Sequence, residues 1–170
     1  MSAPEAMGWG RYFAWLGLAA VLLALDLWTK NLASQTLELY RPRIVTEWLN
    51  LTLAHNDGAA FSFLAGAGGW QRWFFTAVAI LVSAVLMVWL KRLPHQARLL
   101  PVSLSLVLGG ALGNMVDRIR LGYVVDFIDV HYQGWHWPAF NIADSVIVLG
   151  VVLLLVEGFI PRRVSLHGSS

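Results

Sequence analysis

The 170-residue chain contains no cysteine, and charged residues make up only 13% of it. The missing cysteine excludes disulfides, thiolate metal sites and cysteine nucleophiles. Soluble domains carry about 25% charged residues, whereas 58% of this chain is hydrophobic. A water-soluble fold of this size cannot bury that much apolar surface. The composition therefore argues against a soluble enzyme, a nucleic-acid-binding protein and a disordered chain.

Four segments have the length and apolarity of transmembrane helices, which need about 20 residues to cross the hydrocarbon. These helices are predicted at about 12–29, 70–90, 99–116 and 140–160. Most tryptophans stand at or just beyond the predicted span ends, where amphipathic rings favour the membrane interface. The expected fold class is an all-α membrane protein with four transmembrane helices in one domain, 1–170.

Lysine and arginine predict the orientation of these spans. Lysine and arginine are more frequent per residue in the flanking segments 1–11, 91–98 and 161–170 than in the segments 30–69 and 117–139. Because cytoplasmic flanks are enriched in positive charge, both termini are expected in the cytoplasm. The first span is expected to be a retained anchor, because its apolar run is longer than that of a signal peptide.

The segments on the opposite side of the membrane carry strand patterns. Residues 48–53 alternate apolar and polar, the period of a half-buried strand. Residues 61–63 and 125–132 are rich in β-prone types. We therefore expect a small extracytoplasmic β subdomain from the insertions 40–63 and 123–132.

Helix parity brings polar residues together on that same side. Each span carries the chain to the opposite side of the membrane. The first and third spans therefore end on the same membrane face on which the second and fourth begin. The polar residues collected there are Asp26, Lys30, Asn56, Asp57, Gly58, Asn114, Asp117, Arg118, Asp126, Asn141 and Asp144. A carboxylate at the bilayer centre costs roughly 2.5–3.5 kcal/mol. Acids within or beside spans are therefore candidates for function.

Several of these residues also fit purely structural roles. Asn141 fits the N-cap of the fourth helix, with Asp144 in its first turn, about as well as it fits a catalytic role. Asp26 stands near the end of the predicted first helix, where the helix dipole disfavours an anion. Lys30, four residues later, fits a structural clamp with Asp26.

The third span leaves two further questions. Arg118 fits an ordinary interface pair with Asp117, or a bidentate contact with a lipid phosphate. Ser105, Gly109 and Gly113 recur every four residues, which is typical of close helix packing.

Common hydrolase motifs are missing. There is no H-E-x-x-H, no G-x-S-x-G and no nucleotide-binding loop. His131 and His136 near Asp129 make a poor metal-ligand set, so neither metal nor cofactor is expected. Carboxylates are the remaining candidates for the catalytic groups. When two carboxyl groups share a site, one stays protonated while the other ionises, because two like charges at short distance are unfavourable. The ionised one can activate water while the protonated one polarises an amide carbonyl. Spacing does not show which two acids these are.

Five blocks resemble, in order, motifs of the lipoprotein signal peptidase, or signal peptidase II, family. They begin at Asp26, Asn56, Gly109, Val125 and Phe140, and read D-L-W-T-K, N-D-G-A-A-F-S, G-G-A-L-G-N-M-V-D-R, V-D-F-I and F-N-I-A-D-S. The resemblance covers nearly the whole chain. Position 27 departs from it, with Leu where many relatives have Gln.

The resemblance implies an aspartic endopeptidase of the bacterial cytoplasmic (inner) membrane that removes signal peptides from diacylglyceryl-modified prolipoproteins. It implies Asp126 and Asp144 as the catalytic pair at the outer face. The other implied site residues, which bind substrate or support the site, are Asp26, Lys30, Asn56, Gly58, Asn114, Arg118 and Asn141. It also implies inhibition by globomycin-type cyclic peptides. The expected partners are prolipoprotein and membrane lipids, with no nucleic acid, and the chain is expected to be monomeric.

Asp129, three residues after Asp126, adds a further carboxylate. Residues 126 and 129 of a strand point to opposite faces, so Asp129 is not expected to join the pair. Two rival functions are a transporter with Asp26 or Asp144 as a proton relay, and a scaffold whose acids only cap helices. Transporter sites lie near the midplane between repeats, but here the acids lie at one edge and no repeat is visible.

Overall fold

The computed structural model describes residues 6–58 and 68–159. In these residues the order of elements is α1 (Trp9–Thr36), β1 (Arg43–Thr46), β2 (Leu49–Asn56), α2 (Trp70–Arg92), α3 (Leu99–Leu121), β3 (Val124–Tyr132), β4 (Trp135–His136) and α4 (Ile142–Phe159). All four helices are long and apolar enough to cross a membrane. The fold class of a four-helix membrane protein with a small sheet is confirmed. The strand expected at 61–63 lies outside the described residues.

Two helices continue beyond the ends expected from hydropathy. α1 runs on past residue 29 to Thr36, and α3 runs past residue 116 to Leu121. A helix satisfies its own backbone groups, so it need not end where the apolar run ends. Asp26 consequently lies inside α1 and not near its end, which corrects the argument from the helix dipole. α3 ends where Gly122 adopts φ 91°, a left-handed conformation that glycine tolerates best.

Small residues let α3 approach its neighbours closely. A Cβ placed on Gly109 would lie 2.8 Å from the backbone oxygen of Ala19 in α1, and one on Gly113 would overlap the carboxylate of Asp26. Ser105 is completely buried in the same helix. The packing role predicted for the four-residue repeat is thus confirmed. It places the polar residues of α1 and α3 in direct contact.

The strands form one antiparallel sheet in the order β1-β2-β3-β4. β2 pairs with β3 so that Ala54 lies opposite Asp126 and Asn50 lies opposite Asp129. The backbone N–H groups of Phe127 and Ile128 both donate to the carbonyl oxygen of Phe140, at 3.1 and 2.9 Å. This contact ties the chain just before α4 to β3. The sheet thereby holds Asp126 beside the first turn of α4.

Candidate active site

Asp126 lies in β3 and is only 2% exposed. Its Oδ1 accepts a hydrogen bond from Nδ2 of Asn141 at 2.7 Å, and its Oδ2 accepts one from Nδ2 of Asn56 at 3.1 Å. Burial raises the pKa of Asp126 to about 7, and the nearby charge of Asp144 adds to the increase, while the two amide donors oppose it. This carboxyl can therefore hold or release a proton near neutral pH.

Asp144 lies in the first turn of α4. Its Oδ1 accepts a hydrogen bond from Nδ2 of Asn114 at 2.7 Å, and its Oδ2 accepts one from the backbone N–H of Asn141 at 3.3 Å. Its own backbone N–H donates to Oδ1 of Asn141 at 2.8 Å. Asn141 is thus the N-cap of α4, which confirms that structural interpretation. The same cap fixes the position of the Asp144 carboxylate.

The completely buried side chain of Asn141 links the two acids. Its Nδ2 donates to Asp126 while its Oδ1 accepts from the backbone of Asp144. Both acids line one cavity of about 750 Å³. The structural and catalytic interpretations of Asn141 and Asp144 are therefore compatible, because the residue that caps the helix also contacts Asp126.

A buried cluster of charges lies behind the two acids. Nζ of Lys30 lies 2.8 Å from Oδ2 of Asp26 and 3.0 Å from Oδ2 of Asp117. It also donates to Oδ1 of Asn114 at 2.9 Å. The clamp predicted between Asp26 and Lys30 is confirmed, and it extends to α3. Oδ1 of Asp26 also accepts the backbone N–H of Ala143 at 2.8 Å, so α1 holds the start of α4 directly.

Arg118 does not pair with Asp117, so that alternative was wrong. Neighbouring residues of a helix point in different directions. Asp117 turns to Lys30 and also accepts the backbone N–H of Val125 at 3.1 Å. The guanidinium of Arg118 donates instead to the carbonyl oxygen of Gly58 at 2.8 Å. Gly58 therefore takes part through its backbone, and its N–H donates to Oδ1 of Asn56 at 3.0 Å.

Asp129 lies on the other side of the sheet from Asp126. Its Oδ1 lies 2.8 Å from Nδ1 of His136, and its Oδ2 accepts from Oγ1 of Thr52 at 3.0 Å and from Nδ2 of Asn50 at 3.3 Å. Burial raises the pKa of Asp129, but the hydrogen bonds from His136, Asn50 and Thr52 together outweigh burial and lower it. The prediction that Asp129 stands apart from the two acids is confirmed.

The cavity brings further residues to the acids. Sequence motifs gave no indication of Tyr40, His55, Trp137, Ile147 and Val148, which line it together with Asn56, Asn114, Arg118 and the two acids. These side chains come from β2, from α4, and from the segments before β1 and α4, and their chemistry is unremarkable in the sequence. Ile147 and Val148 extend the wall along an apolar helix. The site thus joins two carboxyl groups to an apolar surface.

Comparison with known proteins identifies the family. The signal peptidase (SPase) II family model matches residues 18–160. The chain belongs to the signal peptidase II family. The lipoprotein signal peptidase of Acinetobacter baumannii (strain ATCC 17978) is 59% identical over 145 residues, which cover 85% of this chain and 82% of that protein. That of Ectopseudomonas mendocina (strain ymp) is 52% identical over 158 residues, covering 92% of this chain and 93% of that one.

Solved structures of bacterial membrane enzymes share the fold of this chain. A bacterial membrane enzyme solved by the in meso method at 2.3 Å resolution superposes with a TM-score of 0.77 at 29% identity, covering 96% of this chain and 99% of that one. The resemblance based on the five sequence blocks is thereby confirmed. The chain is a multi-pass bacterial membrane protein and a peptidase, which decides against the transporter and scaffold alternatives.

Proposed function

We propose that this signal peptidase II family member is an aspartic endopeptidase whose catalytic pair is Asp126 and Asp144. Its substrate is the peptide bond before the diacylglyceryl-modified cysteine of a prolipoprotein. The observation that carries the proposal is the bridge by Asn141, which donates to one carboxyl group and caps the backbone of the other. Two acids that line one cavity can act together on a water molecule and a peptide carbonyl.

Asp126 holds the shared proton before reaction, because its pKa is raised to about 7. Asp144 is the general base, and the N–H groups of Asn114 and Asn141 hold its two carboxylate oxygens in position. Asp144 takes one proton from water, the hydroxide oxygen bonds to the scissile carbonyl carbon, and Asp126 protonates the carbonyl oxygen. As the C–N bond breaks, the leaving amine takes the proton from Asp144, and a hydroxyl proton returns to Asp126.

The arrangement of the cavity supports lateral entry of the substrate from the membrane. Ile147 and Val148 belong to the apolar helix α4 and also line the cavity, and Val148 is 62% exposed on the helix surface. We place the diacylglyceryl chains along this wall and the extended peptide against the sheet. The Lys and Arg distribution supports a site at the outer face and both termini in the cytoplasm. We further propose that the protein is a monomer among membrane lipids and that globomycin-type cyclic peptides inhibit it.

The test is cleavage of a lipid-modified prolipoprotein by Asp126→Asn and Asp144→Asn proteins reconstituted in bilayers. Each variant should lose at least about a thousandfold in kcat, within the range attributed to general acid–base catalysis. Asp129→Asn is the matched control, since it changes the same residue type in the same strand and should cleave near the wild-type rate. Wild-type cleavage by either of the first two variants removes that residue from the proposed pair.

A further inference from the structure

The ammonium group of Lys30 lies among three side-chain oxygens, and one of them, Oδ1 of Asn114, belongs to a residue that also contacts Asp144. The other two belong to Asp26 and Asp117, at 2.8 and 3.0 Å. Lys30 is 3% exposed, so protein groups and not bulk water surround it. In this arrangement, the position of Lys30 is fixed from both α1 and α3.

The side chain of Asn114 is polarised by Lys30 and Asp144. Its Oδ1 accepts from Lys30 at 2.9 Å and from Nδ2 of Asn141 at 3.3 Å, and its Nδ2 donates to Oδ1 of Asp144 at 2.7 Å. A half-turn of the amide would direct its NH₂ group at an ammonium that can only donate, and its oxygen at a carboxylate that accepts. Both contacts would then be repulsive. The charge and donors of Lys30 therefore select one of the two orientations that an amide can adopt.

We propose that Lys30 is a positioning residue for catalysis, acting through Asn114 to keep an N–H donor directed at Asp144. This inference rests on the proposed roles of Asp126 and Asp144. Without Lys30 only the longer contact from Asn141 holds the Asn114 oxygen, and orientations in which that oxygen faces the base become populated. Asp144 then lacks the N–H donor that holds its carboxylate in position to take a proton from water.

Lys30 can also influence activity in two ways that do not involve Asn114. The ammonium group acts directly on Asp126 through its charge, and it neutralises Asp26 and Asp117 at the contact between α1 and α3. Neither route passes through Asn114. A double-mutant cycle distinguishes them, because residues that act in series give non-additive effects.

The experiment measures kcat and KM on lipid-modified prolipoprotein for Lys30→Met, Asn114→Ala and the double variant in bilayers. Each single change should lower kcat by about tenfold to a hundredfold, as misplacement of a reacting group does, with little change in KM. The double variant should be no slower than Asn114→Ala alone. Losses that multiply would overturn the proposal, because Lys30 would then act independently of Asn114.

Lys30→Met leaves two buried carboxylates without a counter-charge, which threatens folding. If that variant does not fold, Asp26→Asn/Lys30→Met/Asp117→Asn replaces it, with no buried charge left in the cluster. The oxygens of the new amides can still accept the N–H groups of Ala143 and Val125. Adding Asn114→Ala to this variant should then cost almost nothing in kcat, and a full loss at that step contradicts the proposal.

Lys91→Met is the matched control for the lysine change. Lys91 lies near the opposite end of the bundle, where it donates to the carbonyl oxygen of Met7 at 2.5 Å, and its replacement should leave kcat at the wild-type value. Asp126→Asn, assayed in parallel, tests the proposed catalytic pair separately from the proposed role of Lys30. If it is inactive while the cycle is additive, this inference alone fails, whereas full activity of Asp126→Asn defeats the proposed function.

Discussion

Asn141 and Asp144 cap each other at the start of α4. The backbone N–H of Asp144 donates to Oδ1 of Asn141 at 2.8 Å, and the backbone N–H of Asn141 donates to Oδ2 of Asp144 at 3.3 Å. This reciprocal pair has the geometry of a capping box. One local motif therefore begins the helix and sets the position of a proposed catalytic carboxylate.

Asn141→Ser should separate the two roles of this residue. Serine caps helices about as well as asparagine, but it lacks the buried amide N–H that Asn141 donates to Asp126 and to the carbonyl oxygen of Val125. Asn141→Ser should therefore lose at least about tenfold in kcat while it keeps the cap. Asn141→Ala, the matched variant, loses both the donor and the cap, so it should be about 0.5–2 kcal/mol less stable than Asn141→Ser in thermal unfolding. Equal destabilisation by both variants would contradict the capping role.

Activity should fall as pH rises through about 7, because Asp126 then loses the proton that the reaction requires. Infrared spectroscopy of the protonated carboxyl group can follow this titration directly. In Asp144→Asn the midpoint for Asp126 should move to lower pH, since the neighbouring negative charge that raised the pKa is gone. Asp129→Asn should leave the midpoint unchanged. A midpoint unaffected by Asp144→Asn would show that the two acids do not interact.

Gly113→Ala should destabilise the contact between α1 and α3. The added methyl group would overlap the carboxylate of Asp26, which pairs with Lys30. Overpacking of this kind typically costs 1–3 kcal/mol, measured here by thermal unfolding in detergent. Gly17→Ala is the control, because a Cβ there meets nothing within 4 Å. Its helix should gain up to about 1 kcal/mol, and equal losses for both variants would disprove the steric argument.

Replacing Asp129 should weaken the sheet without stopping catalysis. Its carboxylate joins β2 to β4 through Thr52 and His136, and removing such a buried acceptor costs about 1–3 kcal/mol. Because the pKa of Asp129 is lowered in the folded protein, its stabilisation is present above the pKa of an unfolded aspartate and is lost as pH falls towards the folded value. Asp129→Ala should therefore unfold more readily at neutral pH, while its kcat stays within a few-fold of wild type. A large loss of kcat would place Asp129 in the mechanism.

Hydropathy predicted the four spans well, but it failed at their ends. α1 and α3 continue through polar residues to Thr36 and Leu121, because hydropathy reports where the chain is apolar and not where its backbone stops being helical. The alternation at 48–53 predicted a strand, and β2 runs over Leu49–Asn56. Strand pairing joins distant segments, so its register could not be predicted from local pattern.

The sequence predicted only part of the site. The family resemblance implied Asp126 and Asp144 as the catalytic pair. Asn141 and Asp144 were also conspicuous by themselves, because polar residues within or beside a membrane span are costly. Motifs gave no indication of Tyr40 and Trp137, which line the cavity. An aromatic residue near a membrane interface has an ordinary explanation, so no local signal distinguishes one that lines a site.

The sequence by itself determined that this chain spans a membrane, and that acids and amides gather on one side of it, because hydropathy and helix parity act over short stretches of chain. Tertiary structure decided the partners. Asp117 turned to Lys30 and not to Arg118, and Asn141 came to touch both acids. Most buried donors and acceptors find a partner once water is excluded. Which partner it finds depends on helix and strand packing that no single segment encodes.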